Sequence, residues 1–426
     1  MNVSSKEKKM NFEKRRQNYA THVLDQSLSF FFAGHAPQKS ADQHYPFEVN
    51  RNFYYLSGIN QQNAVLVIAK GENNLESYLF IEGFDPVKAL WDGAGLSFEE
   101  AAKISQIKLE NVKDIKTLDT FIGQLLQVSR RAIFGLIDVA YFDLERQSMT
   151  QNDTDAISFQ KKLSNLYPAL TIKTNQMILA ELRTIKDDDE VEMIKKAAEI
   201  TKKALEFTQK HLKPGMKEFE AEASYNYVLN MHQTTPSFDT IAASGKNATV
   251  LHYVDNNAEM KDNDLILFDL GVKYEQYASD VSRTYPINGK FTKRQKEVYE
   301  VVLEANEKTI AWLKPGVSLK EFNDYGKQIL IDGAKRLGLI EKDEDIMKYY
   351  YHSLGHYLGL DVHDVGNYAK PIPVGAIITV EPGLYIAEEG IGIRIEDDIL
   401  VTKDGVVNLT KDILKSVSDI EAQMKK

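Results

Sequence analysis

Short runs of consecutive apolar residues alternate with amphipathic stretches over the first part of the chain. Uninterrupted apolar runs predict buried strands, whereas apolar residues spaced three or four apart predict helices. The predicted strands are residues 28–33, 64–69, 78–82 and 171–174, and the predicted helices are residues 98–107 and 118–129. Alternating strands and helices are typical of an α/β domain. We therefore predict an amino-terminal α/β domain over residues 1–175.

An internal repeat predicts a second domain over residues 176–426. A helical run ends in LKPG (212–215), and KEF (217–219) begins another helix. The same pattern recurs as LKPG (313–316) and KEF (320–322), and acidic, strand-like sequence follows each helix pair. Two copies of a helix–helix–strand unit predict a pseudo-symmetric α+β domain with a site between its halves.

Residues 265–287 predict a β-hairpin that brings two aspartates together. The sequence LILFDLGVKYEQYASDVSRTYPI reads as an apolar strand, a short polar tip and a returning strand. If the tip lies between Tyr274 and Glu275, then Asp269 and Asp280 are directly opposite each other. Side chains in such a position have Cβ atoms about 5 Å apart.

Residues 377–401 predict a second hairpin with a pair of glutamates. A tip between Glu388 and Glu389 places Glu381 opposite Glu396. Like charges this close destabilise a sheet unless a cation neutralises them. The negative charges of four carboxylates balance the positive charges of two divalent cations. Such cations lie about 3.5–4 Å apart in two-metal sites. The hairpins therefore predict a dinuclear metal site, and solvated carboxylates on an exposed face are the alternative.

Histidines near the predicted strands favour the metal site. His252 lies in ATVLHY, and His352, His356 and His363 lie within HSLGHYLGLDVHD. A single histidine is more often structural than functional, but three in one short segment with small and apolar neighbours indicate a functional cluster. The spacing of His352 and His356 matches the H-E-x-x-H helix of zinc peptidases, but Ser353 stands where that motif requires glutamate. That type of zinc site is therefore excluded.

Composition narrows the chemistry further. The 62 acidic and 52 basic residues give a net charge of −10, which argues against nucleic acid as a partner. The sequence has no cysteine, so any metal must be held by oxygen and imidazole. No apolar stretch approaches the roughly 18 residues of a membrane span, and the basic start at residues 6–16 leads into a predicted strand. We therefore expect a cytoplasmic protein with no membrane partner.

The motifs around these residues resemble those of the pita-bread metallopeptidases, the family of methionine aminopeptidase, prolidase and Xaa-Pro aminopeptidase. The matching positions are Asp269 in FDLG, Asp280 in ASDVSRT, His356 in HYLGLDVHDVG, Glu381 in TVEPGLY and Glu396 in GIRIEDD. Residues 44–68 and the LWDG sequence at residues 90–93 are similar to the amino-terminal domain of the Xaa-Pro aminopeptidases. The resemblance covers nearly the whole chain and implies that domain followed by a pita-bread catalytic domain.

The resemblance also implies a set of metal ligands. Asp269 would bind one ion, Asp280 and Glu396 would bridge both, and His356 and Glu381 would complete the second site. Two divalent ions are implied, with Mn²⁺ expected first and Co²⁺ or Zn²⁺ as alternatives, because oxygen ligands with one imidazole suit such ions. A hydroxide shared by the two ions would attack the first peptide carbonyl.

Catalytic and substrate-binding roles follow from the same resemblance. Glu381 would also carry the proton from the nucleophile to the leaving nitrogen, and His252 or His363 would stabilise the tetrahedral intermediate. The residues expected to bind the substrate or support the site are His352, Tyr385, Arg394 and, reaching a neighbouring subunit, Trp91. The sequence departs from the family at Ser353, where glycine is usual.

The activity implied is that of an exopeptidase that releases the first residue from peptides with proline at the second position. Its substrates would be such peptides, and the protein would be a homodimer or homotetramer. Two alternatives stay open. The first is a prolidase, which is restricted to dipeptides. The second is a non-catalytic pita-bread module that binds peptides, although such modules lose metal ligands that this chain retains.

Overall fold

The computed structural model describes residues 10–129 and 133–425. Contacts within the chain divide it into two compact units, Met1–Leu182 and Arg183–Lys426. The domain boundary predicted from the sequence, near residue 175, lies slightly before this division. Residues 6–9 of the basic start lie outside the described residues. In the part of the chain that is described, no helix is both long and apolar enough to cross a lipid bilayer.

The first unit is built on a mixed β-sheet. Its helices and strands are α1 (Phe12–Ala20), β1 (Ser27–Phe32), β2 (Gln38–Ser40), β3 (Gln43–His44), α2 (Arg51–Ser57), β4 (Val65–Lys70), β5 (Leu75–Ile81), α3 (Pro86–Asp92), α4 (Phe98–Ser105), β6 (Val112–Asp114), α5 (Leu118–Leu125), β7 (Val139–Phe142), α6 (Asp155–Leu166) and β8 (Thr171–Thr174), with 3₁₀ turns at Leu109–Asn111 and Ile115–Thr117. The strand order is β6-β5-β4-β1-β7-β8, with β1 antiparallel to β4 and parallel to β7.

Aromatic side chains fill the core of the first unit. Phe30 of β1 stacks on Phe142 of β7 with ring centroids 4.9 Å apart, and Phe159 of α6 packs against both rings. Buried strands with a helix packed over them form the α/β arrangement that the alternating pattern predicted. The helix predicted at residues 118–129 is shorter in the structure, where α5 ends at Leu125.

The division between the units falls within α7 (Gln176–Thr184). The elements that follow it are α8 (Asp188–His211), α9 (Glu218–Met231), β9 (Thr235–Pro236), β10 (Ile241–Ser244), β11 (Leu265–Leu270), β12 (Val272–Tyr274), β13 (Tyr277–Ala278), β14 (Val281–Pro286), α10 (Lys293–Trp312), α11 (Leu319–Arg336), β15 (Ile377–Val380), β16 (Gly383–Ile386), β17 (Ile391–Arg394), β18 (Asp397–Thr402), β19 (Gly405–Asn408) and α12 (Val417–Gln423), with 3₁₀ turns at Gly245–Thr249 and Asp343–Lys348.

The second unit contains the repeat that was predicted from the sequence. Helices α8 and α10 each end just before an LKPG sequence, and Gly215 and Gly316 have φ of 86° and 89°. The helices end at the extended conformation of Leu212 and Leu313, whose ψ values are 133° and 134°. Glycine then redirects the chain, because it adopts the left-handed conformation without steric cost. The amide of Gly215 donates to the carbonyl of Met260, and that of Gly316 donates to Ile372. Equivalent turns thus lead into the paired helices α9 and α11.

Candidate metal centre

A cavity of about 780 Å³ lies in the second unit. It is lined by candidate residues from both predicted hairpins and from the histidine-rich segment, namely His252, Asp269, Asp280, His352, His356, His363, Glu381, Arg394 and Glu396. The structure therefore brings together residues that are separated by more than a hundred positions in the sequence.

The predicted register of the first hairpin is wrong by one position at its tip. Strand β11 pairs with β14 so that Asp269 is opposite Ser282, not Asp280. The tip is formed by Glu275 and Gln276, whose φ values are 47° and 67°. These angles match a type I′ turn, which requires positive φ at both central residues. Because Asp280 and Ser282 are two residues apart, Asp280 still points to the same face as Asp269.

The second hairpin has the predicted register. Pairing of Leu384 with Ile393 and of Ile377 with Leu400 corresponds to a tip between Glu388 and Glu389. The ladder is interrupted between these two paired stretches. Glu381 and Glu396 lie in that interruption, at corresponding positions on the two chain segments.

Asp280, His356 and Glu396 form a buried cluster that fits a metal ion. One ligand atom from each lies within 4.8 Å of the others. His356 Nε2 is 3.4 Å from Asp280 Oδ2 and 3.6 Å from Oε1 of Glu381. Among the described residues, Asp280 Oδ1 and Glu396 Oε1 are buried without a hydrogen-bond partner. A buried carboxylate oxygen without a donor is costly, and a bound cation removes that cost.

The electrostatics of the cluster also favour a bound cation. Burial raises the pKa of Asp280 and of Glu396, and the neighbouring carboxylates raise both further. Burial also raises the pKa of Glu381 to about 7, although His356 and Arg394 oppose this shift. Burial lowers the pKa of His356, but its hydrogen bond to Asp280 and the charge of Glu381 outweigh burial and raise it to about 9. In the absence of a cation, protons take its place.

The carbonyl group of the following residue, Tyr357, fixes the orientation of the His356 ring. Its Nδ1 is 3.0 Å from the carbonyl oxygen of Tyr357, and a carbonyl only accepts, so Nδ1 carries the hydrogen. This leaves Nε2 facing the carboxylates, which is the arrangement typical of metal-binding histidines. The ring of His363 lies beside that of His356, with centroids 4.1 Å apart.

A chain of hydrogen bonds connects the cluster to the cavity wall. Arg394 is buried and donates to Asp269 Oδ2 at 2.5 Å, to Ser282 Oγ at 2.7 Å and to the Tyr385 hydroxyl at 2.8 Å. The Tyr385 hydroxyl in turn contacts Nε2 of His352 at 2.8 Å. Burial and the charge of Arg394 lower the pKa of His352 to about 4, so His352 is neutral and accepts from Tyr385.

His252 lies in a loop that is anchored by a single buried carboxylate. Glu218 Oε1 accepts hydrogen bonds from the amide and the hydroxyl of Ser244 at 2.7 and 2.6 Å. Its Oε2 accepts from the Tyr253 hydroxyl at 2.7 Å and from the Ala258 amide at 2.9 Å. Glu218 thus fixes both ends of the segment that carries His252 into the cavity.

His363 is held through the residue that follows it. Asp364 forms ion pairs with Arg183 at 2.5 Å and with Lys186 at 3.0 Å, and all three side chains are almost completely buried. Arg183 also pairs with Asp361 at 2.9 Å. This ionic group, formed by Arg183, Lys186 and Asp364, ties the histidine-rich segment to the start of the second unit.

Several contributing residues were missed by the sequence analysis. Ser282 donates to Glu396 Oε2 at 2.8 Å, and Asp398 Oδ2 accepts from the Asp280 amide at 3.3 Å. Asp398 was visible as the last acidic residue of the IEDD sequence, but nothing in the pattern separates it from a surface aspartate. Trp91, in contrast, is a predicted site residue, expected to reach a neighbouring subunit. It lies on α3 in the first unit, with 81% of its surface exposed.

Both units of the chain match known protein families. Residues 192–403 match the family described as metallopeptidase family M24, and residues 12–134 match the aminopeptidase P, N-terminal domain. The chain is 34% identical to the Xaa-Pro aminopeptidase of Escherichia coli (strain K12) over 436 residues, which cover 97% of each protein. The chain belongs to the Xaa-Pro aminopeptidases of metallopeptidase family M24. It is therefore a hydrolase, and its relatives are metal-dependent exopeptidases.

Solved structures of Xaa-Pro aminopeptidases confirm the predicted architecture. Zinc-substituted Escherichia coli aminopeptidase P in complex with product has a TM-score of 0.88 and 32% identity, covering 98% of this chain and 99% of that chain. A Bacillus anthracis structure described as an aminopeptidase P has a TM-score of 0.93 and 43% identity, covering 97% of each chain. The amino-terminal α/β domain and the pita-bread catalytic domain are thus both present, as expected for an Xaa-Pro aminopeptidase.

Proposed function

We propose that this protein hydrolyses the first peptide bond of peptides that carry proline at the second position. The observation that carries the proposal is the buried cluster of Asp280, His356 and Glu396 in a chain that aligns along its length with Xaa-Pro aminopeptidases. We propose that Asp269 and Glu381 complete a site for two divalent ions. The oxygen-rich ligand set favours Mn²⁺, with Co²⁺ or Zn²⁺ as alternatives.

The protein's own groups are placed to serve the reaction. When bound, two divalent ions would polarise the scissile carbonyl and lower the pKa of a water molecule. Glu381 lies 3.6 Å from His356 and 3.8 Å from His352, and we assign it the transfer of a proton from that water to the departing proline nitrogen. The oxygen of the water bonds to the carbonyl carbon and the carbon–nitrogen bond breaks, so the first residue is released with a new carboxylate and the shortened peptide with a free proline nitrogen.

The histidines of the cavity are assigned to the substrate. His252 and His363 line the same cavity as Glu381, and we propose that they donate to the oxygen that becomes negatively charged in the tetrahedral intermediate. His352 is held by Tyr385 and Arg394. We propose that these three residues shape the part of the cavity that accepts the substrate.

A peptide-length assay tests this function. The protein loaded with Mn²⁺ should release the first residue from an Xaa-Pro-Yaa tripeptide and should be inactive on the matched Xaa-Ala-Yaa peptide. Amino-acid release is measured by chromatography with and without a chelator. Cleavage of Xaa-Pro dipeptides alone would instead identify a prolidase, and no cleavage of any peptide would favour the non-catalytic module.

Metal binding should strengthen as the pH rises. Without a cation, His356 has a pKa of about 9 and Glu381 a pKa of about 7, so a metal ion must displace protons from the ligands. We expect the affinity for Mn²⁺ to rise by about tenfold per pH unit for each displaced proton between about pH 6 and pH 8. Equilibrium dialysis at several pH values measures this affinity. An affinity that stays constant over this range would contradict the assignment.

Assembly and location remain proposals from the sequence. The apolar side chains Val87, Leu90 and Trp91 of α3 are exposed, and we propose that this face meets a neighbouring subunit in a homodimer or homotetramer. Sedimentation of wild-type protein and of Trp91→Ala measures this directly. A cytoplasmic location is the expectation from the sequence.

A further inference from the structure

The hairpin that carries Glu381 and Glu396 lacks ladder pairing at the two glutamates. Pairing stops at Val380 with Asp397 and resumes at Gly383 with Arg394. Pro382 lies in the interruption and has no amide hydrogen to donate. Across the interruption the Ile395 amide donates to the Pro382 carbonyl oxygen at 3.3 Å, whereas the amides of Glu381 and Glu396 donate to other segments, at Leu354 and Ser282. The separation of the two glutamates therefore also depends on contacts from outside the ladder.

Asn306 of α10 bridges the two segments at this interruption. Its side chain is completely buried. Its Nδ2 donates to the carbonyl oxygen of Val380 at 3.0 Å and to that of Ile395 at 3.2 Å. These residues immediately precede Glu381 and Glu396. One amide group thus connects the backbone next to both glutamates and ties each to the same helix.

Lys415 fixes the orientation of the Asn306 amide. Its Nζ donates to Asn306 Oδ1 and to Asp397 Oδ2, both at 2.7 Å. A rotated amide would place its oxygen against the carbonyls of Val380 and Ile395 and its hydrogens against the ammonium group. The side-chain inventory of donors and acceptors therefore permits one orientation. Asp397 is in turn paired with the buried Arg283 at 2.7 Å.

We propose that Asn306 is a positioning residue that sets the separation of Glu381 and Glu396 for a pair of divalent ions. The inference rests on the proposed metal site. Coordination distances are tolerated only within about 0.2 Å, so a small change in the spacing of two shared ligands weakens binding of the second ion. Asn306 acts through the backbone and touches neither the ions nor the substrate.

The variant Asn306→Leu tests this role, with Thr309→Val as its control. Leucine fills a similar volume on the helix but removes the donor to both carbonyls. Thr309 is also completely buried in α10, and its hydroxyl has no hydrogen-bond partner among the described residues. Its replacement by valine therefore changes the same helix without removing a bridge. Mn²⁺ binding is measured by equilibrium dialysis, and the spin coupling between two Mn²⁺ ions is measured by electron paramagnetic resonance.

We expect Asn306→Leu to bind the second Mn²⁺ at least about tenfold more weakly and to lose the coupled spectrum, while Thr309→Val keeps both. A folded Asn306→Leu with two tightly bound, coupled ions would overturn the proposal. If circular dichroism shows that Asn306→Leu does not fold, Asn306→Asp replaces it, because this change keeps the size of the side chain and the acceptor for Lys415 but removes the donor to both carbonyls. Weakened binding of the second ion by Asn306→Asp supports the role, and unchanged binding overturns it.

The two proposals can fail separately. If wild-type protein binds two coupled Mn²⁺ ions but cleaves no Xaa-Pro peptide, the proposed activity is wrong, and the dialysis and resonance measurements still decide the role of Asn306. If wild-type protein binds no second ion, the proposal for Asn306 is wrong, whatever the activity.

Discussion

Asp280→Ala is expected to lower kcat/KM for an Xaa-Pro-Yaa peptide by at least about 10³-fold and to abolish retention of Mn²⁺. Asp280 shares its cluster with His356 and Glu396, and one of its oxygens has no other partner among the described residues. Metal ions contribute several kcal/mol of transition-state stabilisation, and each 1.36 kcal/mol corresponds to about a tenfold change in rate. Loss of a shared ligand removes that contribution. Steady-state kinetics and metal content after dialysis measure both effects.

A matched control separates loss of the metal from loss of the fold. Asp239 is an exposed aspartate in the same cavity wall and is not a candidate ligand, so Asp239→Ala should retain Mn²⁺. The thermal midpoint provides a second check. Because burial raises the pKa of Asp280, this carboxyl group does not stabilise the cation-free fold, and Asp280→Ala should unfold no earlier than wild type in the presence of a chelator. An Asp280→Ala protein with wild-type activity would refute the metal assignment.

The two hairpins show how far local sequence specifies the site. The tip of the second hairpin was predicted correctly, and Gly390 at its end has a positive φ of 63° that glycine adopts readily. The tip of the first hairpin is formed by Glu275 and Gln276, neither of which signals a type I′ turn in the way that Asn-Gly does. The register was therefore wrong there. Alternation of side chains along the strand still placed Asp269 and Asp280 on one face.

The supporting contacts are long-range, and no local pattern predicts them. Glu218 was recognised as part of a repeated KEF sequence, but its bonds to Ser244 and Ala258 follow only from the way the helix meets the loop. Asn306 sits in an amphipathic helix where a buried asparagine reads as an irregularity in the apolar face. Periodicity predicts which face of an element is buried. It does not identify which partner satisfies a buried polar group, because that depends on segments far away in the sequence.

Asp364→Ala is expected to destabilise the protein by about 3–5 kcal/mol at neutral pH, because it leaves buried cations without their common partner. Arg183 and Lys186 both pair with Asp364, and the side chains of Arg183, Lys186 and Asp364 are 3%, 1% and 1% exposed. Asp361 is 39% exposed and also pairs with Arg183, so Asp361→Ala is the matched control with an expected cost below about 1 kcal/mol. Urea unfolding measures both differences.

The pH dependence of the stability difference between wild type and Asp364→Ala tests whether the ion pairs of Asp364 cause it. Burial raises the pKa of Asp364, but the charges of Lys186 and Arg183 outweigh burial and lower it. A carboxyl group with a lowered pKa in the folded state stabilises the protein above its unfolded pKa of about 3.9, and this contribution is lost as the pH falls through the lower folded pKa. The difference between wild type and Asp364→Ala should therefore be constant from pH 7 down to about pH 5 and shrink below about pH 4. A difference under about 1 kcal/mol at pH 7 would contradict the role of the ion pairs. Because Asp364 follows His363, the same variant should lower kcat/KM at temperatures where it is still folded, which links the buried ion pairs to the geometry of the cavity.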